Sequence, residues 1–201
     1  MIRTFSVILL LLLCLNTGAQ EVSFKDSVTL YNRERIATNK RGMTVLAGMG
    51  LASMAAGGVG YFSAQQDEWK HFHEMNVLWG AVNTGIAVMG LRGVRKEISA
   101  GYNYKQAYDR YRSNKKLYLI NAGLDVLYIA GGIALNEYGH STTKDQAMYL
   151  GFGRSVAIQG IALLLFDNIM FASHHRKNSK WQILMYDIRF TGNGIGFVHN
   201  F

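Results

Sequence analysis

The chain has 201 residues, with 21 Lys and Arg against 13 Asp and Glu, a formal net charge of +8, no proline and a single cysteine, Cys14. This length fits one domain or a small bundle of membrane helices, and one cysteine excludes an internal disulfide, a CxxC redox pair and a thiolate zinc site. A basic excess in a soluble chain would point to nucleic acid, but here the basic residues flank apolar runs, which points to anionic lipid headgroups instead.

Residues 1–19 carry one basic residue, Arg3, an apolar run from Phe5 to Leu15, and then Asn-Thr-Gly-Ala. Thr17 and Ala19 stand at −3 and −1 of a cleavage point, so this segment reads as a secretory signal peptide. The following stretch, Glu21 to Arg41, places Phe24, Val28 and Tyr31 on one helical face among basic residues. That pattern predicts an amphipathic helix at the membrane surface, with a helix packed on its neighbours as the alternative.

Gly42 to Gln66 is an uncharged run of 25 residues, long enough as a helix (about 37 Å) to cross a hydrocarbon layer of about 30 Å. Gly48, Ala52, Ala56 and Gly60 form a fourfold-spaced ladder of small residues, which predicts close packing against a neighbouring helix. After an expected turn at Asp67-Glu68-Trp69-Lys70, His71 to Leu91 supplies a second span with Gly80 and Gly85 as its packing residues. The two spans are expected to form a hairpin, small face to small face.

Arg92 to Lys116 is a basic connector in which Tyr104, Tyr108 and Tyr111 share a helical face. Beside a membrane this reads as a headgroup-level helix, with no nucleic-acid partner expected. Leu117 to Asn136 and Gln146 to Ser173 make a second hairpin around an expected turn at Glu137-Tyr138-Gly139-His140. The tail changes to a period of two around Thr191-Gly192-Asn193-Gly194, which predicts a β-hairpin.

A shift of 75 residues aligns the two halves: Asn39-Lys40-Arg41 meets Asn114-Lys115-Lys116, and Gly85-Ile86-Ala87 meets Gly160-Ile161-Ala162. This suggests a duplicated unit of basic helix plus hairpin, about 31–92 and 106–173. The domain reading is a signal peptide over 1–19, a helical membrane domain over 20–180 and a hairpin tail over 181–201.

The stretch NKRGMTVLAGMGLASMAAGGVGYF followed by FHEMNVLWGAVNTGIAVMG resembles an uncharacterised family of small bacterial membrane proteins, defined only as a domain of unknown function. The resemblance implies a helical membrane domain behind a signal peptide and supplies no activity, substrate or catalytic residue.

Asp125 and Arg154 are the sharpest constellation. A lone charge at mid-bilayer costs about 2.5–3.5 kcal/mol, so the two are expected to pair across the second hairpin, with Asn121, Gln159 and Asn83 nearby. One role is a buried ion pair that sets helix register; the other is a polar intramembrane site for a proton, ion or small polar substrate. His71, His73 and His140 stand near carboxylates, but no HExxH occurs, and neither a metal nor a cofactor is expected. No GxSxG, P-loop or dinucleotide fingerprint is present, so no enzyme is expected.

The span ends are unequal. Residues 21–42, 92–116 and 174–201 hold 17 of the Lys and Arg, whereas the turns on the other side hold Lys70 and Lys144. The positive-inside bias makes the basic side cytoplasmic, and a cleaved signal peptide makes it external; the two rules conflict. The sequence therefore describes an all-α membrane protein with four transmembrane helices as two repeated hairpins, interfacial amphipathic helices and a short C-terminal β-hairpin. Its expected place is a bacterial inner membrane. The leading function is a non-enzymatic structural or partner-binding envelope component, alone or as a homo-oligomer. The alternative is a small oligomeric transporter or channel-like protein around Asp125 and Arg154.

Overall fold

The computed structural model describes the backbone of residues 24–186, 188–191 and 194–197, and the side chains of 26–179 and Trp181. The expected signal peptide and Cys14 lie outside the described residues, as do the side chains of the tail. Four helices follow one another: α1 (Phe24–Ser63), α2 (Asp67–Ile98), α3 (Tyr104–Ser141) and α4 (Gln146–Tyr186). Two four-residue strands, β1 (Ile188–Thr191) and β2 (Gly194–Phe197), then run antiparallel with Ile188 opposite Phe197. Strands this short make no independent unit, so the architecture is helical.

All four helices are long and apolar enough to cross a membrane. Apolar side chains face outward in a belt that includes Val59, Met89, Leu127 and Ile169, the inverse of a water-soluble bundle and the surface expected of a multi-pass membrane protein.

The helices are longer than the layer requires. α1 has 40 residues, about 60 Å, roughly twice the hydrocarbon thickness. Thus the basic segment before Gly42 is no separate interfacial helix: it continues the first span without a break. Tyr31–Arg41 contains neither proline nor glycine, and a break there would leave about four N–H and four C=O groups without helical partners. The basic connector shrinks in the same way, to residues 99–103 between α2 and α3. Asn103 starts α3 with a capping box: its Oδ1 accepts from Gln106 N–H at 2.9 Å, and Gln106 Oε1 accepts from Asn103 N–H at 3.1 Å. Both expected turns also move. Asp67-Glu68-Trp69-Lys70 is the first turn of α2, and Glu137-Tyr138-Gly139-His140 is helical, the chain reversing only at 142–145.

Beyond the apolar layer, on the basic side, the helix ends form a compact cap around Tyr31, Ala107, Tyr111 and Trp181. Tyr31 and Tyr111 stack with ring centroids 4.4 Å apart, and Tyr31 donates to Asn178 Oδ1 at 2.7 Å. Tyr111 is therefore core and not a headgroup marker. Burial first, then neighbouring tyrosines, pushes the Tyr31 phenol above its ordinary range; burial and the Glu34 carboxylate do the same for Tyr111, keeping both hydroxyls as donors. Arg35, fully buried, places Nη1 2.8 Å from Glu97 Oε2 while its Nε and Nη2 donate to Asn32 Oδ1. The helix packed on its neighbours, the alternative reading of this segment, is the observed one.

Within the layer, α1 packs along α2 and α3 along α4; α2 and α4 join the hairpins, α1 touches α3 and α4 more lightly, and α2 and α3 stay apart. Small residues do mediate the close contacts, but not all of those expected. A Cβ on Gly80 would fall on the Gly50 carbonyl and Met54, and one on Gly57 on the His73 carbonyl, so Gly50, Gly57 and Gly80 form the seam. Gly60 meets the His73 ring, whereas Gly48 and Gly85 face open space and Ala52 and Ala56 are exposed. The reason is helical drift: fourfold spacing advances about 40° per step, so a ladder of four spreads over about 120° and cannot remain on one seam.

The second hairpin packs in another register. Shifted by 75 residues, the Gly57–Val77 contact would become Gly132–Phe152, but Gly132 is opposed by Gly153 and Ala157, about one turn farther along.

Candidate functional site: an intramembrane cavity

The separation of α2 from α3 leaves a cavity of about 520 Å³ that reaches from the basic rim to mid-layer. Its lining on α2 runs from Trp79 to Glu97 and on α3 from Asn114 to Tyr128, with Met43 and Leu46 of α1 and Leu163, Phe166 and Asp167 of α4 behind them. At the inner end the rings of Trp79 and Tyr128 meet edge-on across the gap, centroids 5.1 Å apart. At the rim, Glu97 is held by Arg35 at 2.8 Å and approached by Arg110 at 3.9 Å.

Two carboxyls form the floor. Asp125 is 3% exposed and Asp167 4%. They are close enough to interact electrostatically, and Asn121 lines the cavity with them. Asp125 Oδ2 and Asp167 Oδ1 are buried without a hydrogen-bond partner, as are Trp79 Nε1 and Asn114 Nδ2. Buried polar atoms are normally satisfied, so a cluster of unsatisfied ones around a cavity has the character of a site and not of a packed core. Two carboxyls set together away from water need one positive charge between them, a shared proton or the cation of a ligand.

The structure redistributes the expected cluster. Asp125, Asn121 and Asn83 line the cavity together. Arg154 is not Asp125's partner: it pairs with Glu68 at the opposite end of the bundle and lies 5.6 Å over the Trp69 ring. Because α3 runs on to Ser141, Asp125 lies 16 residues from the end of its helix, about 24 Å, whereas Arg154 lies only 8 residues, about 12 Å, into α4. Gln159 belongs to a different network, donating at 2.8 Å to both Ser53 Oγ and Asn76 Oδ1, where Ser155 also donates at 2.9 Å. None of its members has a buried atom without a partner.

Asp167 is the partner that the sequence reading passed over. Counted from the basic rim instead of from the turn, Asp125 lies 9 residues past Lys116 and Asp167 lies 7 before His174, depths of about 14 and 10 Å. Basic clusters mark the headgroup level, so that count would have found the pair. Among the described residues, no three His, Cys, Asp or Glu converge on a point where a metal ion would sit. His71 instead contacts Glu74 at 3.0 Å, and His73 packs on Gly60.

No curated protein and no solved structure matches the chain. Residues 45–168, from within α1 to just past Asp167, match a family described as one of unknown function, DUF6992. That stretch is more than half of the sequence and contains both floor carboxyls, and the chain belongs to this family.

Proposed function

We propose that the protein is a non-enzymatic, multi-pass component of a cell-envelope membrane that binds a ligand inside the bilayer, in the cavity beside Asp125 and Asp167. One observation carries the reading: the cavity reaches mid-depth, where Trp79 meets Tyr128, and holds polar atoms without partners. Among the described residues, no Ser, Cys, His or Lys lines it, so its polar groups suit holding a molecule more than attacking one. A structural role alone would leave these atoms satisfied, as the Asn76–Ser155–Gln159 network is.

Cysteine reactivity tests this reading, since a thiol reacts as the thiolate and a hydrocarbon-embedded thiol stays protonated. With Cys14 replaced by Ser, Asn83→Cys and Asn121→Cys are expected to react with a water-soluble thiosulfonate added on the basic side, and Ser155→Cys to stay inert. Equal inertness at all three positions would sink the reading.

The second reading is a small oligomeric transporter with the carboxyl pair at its centre and Asp167 in the place first assigned to Arg154. The mid-depth position of two carboxyls favours it; it requires Asn121→Cys to become reactive from both sides. Cleavage after residue 19 and an external basic side complete the proposal, and reporter fusions at residue 105 and at the C-terminus decide that orientation.

A further inference from the structure

We infer that the cavity takes a hydrophobic ammonium: a positively charged amine on an apolar chain or ring, seated with its N–H groups between Asp125 and Asp167. This rests on the binding reading above and gives its ligand a chemical class. The floor offers acceptors without donors, Asp125 Oδ2 and Asp167 Oδ1, and a buried carboxylate is stabilised by a hydrogen-bonded cation. Among the described residues, no basic side chain supplies that cation. None lines the cavity; Arg35 is committed to Glu97 and Asn32 at the rim, and Arg154 to Glu68 at the other end. An anionic ligand would meet two carboxyls and no positive charge.

The walls argue for an organic cation over a bare ion. Trp79, Tyr118 and Tyr128 line the cavity, and aromatic faces attract ammonium groups. The volume, about 520 Å³, is in the range of small-molecule sites, roughly 300–1,000 Å³. Besides its mouth at the basic rim, the cavity opens sideways toward the bilayer. Between α2 and α3 the opening is edged by Val82, Ile86, Leu117 and Leu124, all exposed apolar residues. An apolar body can stay at this lipid-facing edge while its charged end reaches the floor. A free lipophilic amine and the amine of an aminolipid headgroup share this chemistry.

The test uses the full chain in phosphatidylcholine nanodiscs, with dodecylamine as probe and dodecanol as its uncharged counterpart. Saturable dodecylamine binding is expected, weaker by about tenfold or more for dodecanol and for dodecylamine on Asp125→Asn or Asp167→Asn. Asp145→Asn, in the exposed turn, should bind as the parent does. Dodecylamine should also protect Asn121→Cys, with both carboxyls intact, from the thiosulfonate, a readout that survives if an Asp variant fails to fold. Equal binding of amine and alcohol, unchanged binding by both Asn variants, or protection by sodium ion but not by amine would each overturn the proposal. If Asn121→Cys is reactive yet unprotected by amine, the ammonium assignment falls while the binding cavity stands; if it is inert from the start, the cavity reading falls first. Adding phosphatidylethanolamine separates the sources within the supported class: competition with dodecylamine identifies the aminolipid headgroup, and no competition identifies free amines.

Discussion

The two halves of the membrane bundle are made of the same kinds of residue and behave differently. On the turn side, α2 and α4 approach so closely that a Cβ on Gly151 would fall on the Glu68 carbonyl, and the polar groups of Ser53, Asn76, Ser155 and Gln159 satisfy one another. On the basic side α2 and α3 separate, and Asp125, Asp167, Asn114 and Trp79 keep atoms without partners. Polarity inside a membrane is therefore no signature of a site by itself. What distinguishes a site from a brace is whether the polar atoms find each other.

That contrast can be broken most forcefully in the closed half. Gly132→Val would drive a side chain into the Gly153 carbonyl and Ala157 backbone. It should destabilise the fold by about 3 kcal/mol, the upper range of overpacking, read as a lower unfolding midpoint in detergent. Gly123→Val, where a Cβ meets nothing, is the matched control and should change stability by no more than about 0.5 kcal/mol. An equal loss at both positions would mean that the glycine seam has been misplaced.

A smaller effect is expected from Gln159→Leu, which removes the donor shared by Ser53 and Asn76. The cost should be about 1–2 kcal/mol, the range for interhelical hydrogen bonds in membranes. In the open half the sign should differ. Asp125→Asn leaves shape and volume nearly unchanged and removes one of two buried carboxyls with no basic partner among the lining residues, so stability should hold within about 0.5 kcal/mol or rise. Thermal unfolding of Gln159→Leu and Asp125→Asn side by side therefore sharpens the comparison. If both lose stability equally, the carboxyl pair is a brace like the other network. Gly85→Ala should act in the opposite direction to the seam variants: the position faces open space, and a modest gain in helix stability of up to about 1 kcal/mol follows from the lower backbone entropy of alanine.

How much of this was legible varies by residue. Of the small residues expected to pack, Gly80 lies on the seam whereas Gly48, Ala52 and Ala56 face outward, because on a helix apolar all round the sequence does not say which face meets protein and which meets lipid. Asp125 stands out as a charge in an apolar run and needs no structure to be noticed. Its partner did not, because depth was measured from a turn whose position is set by the last residues of α3, where Glu137 to Ser141 carry no breaker strong enough to fix it. The cap around Tyr31 and Arg35 was read as interfacial because its apolar face is narrow and aromatic, a pattern shared by surface helices and by helices packed in a small polar bundle.

The sequence alone determined that four long segments must be helical and dissolved in lipid, because in hydrocarbon each backbone group has to be bonded within its own segment and apolar length decides which segments cross. It also determined that charge on a span is costly and must be compensated. Only the tertiary structure decided what compensates it: which helix faces meet, where α2 parts from α3, and that Asp125 is set beside Asp167 while Arg154 finds Glu68. Those outcomes depend on register and rotation between helices, and they are fixed by contacts far apart in the chain.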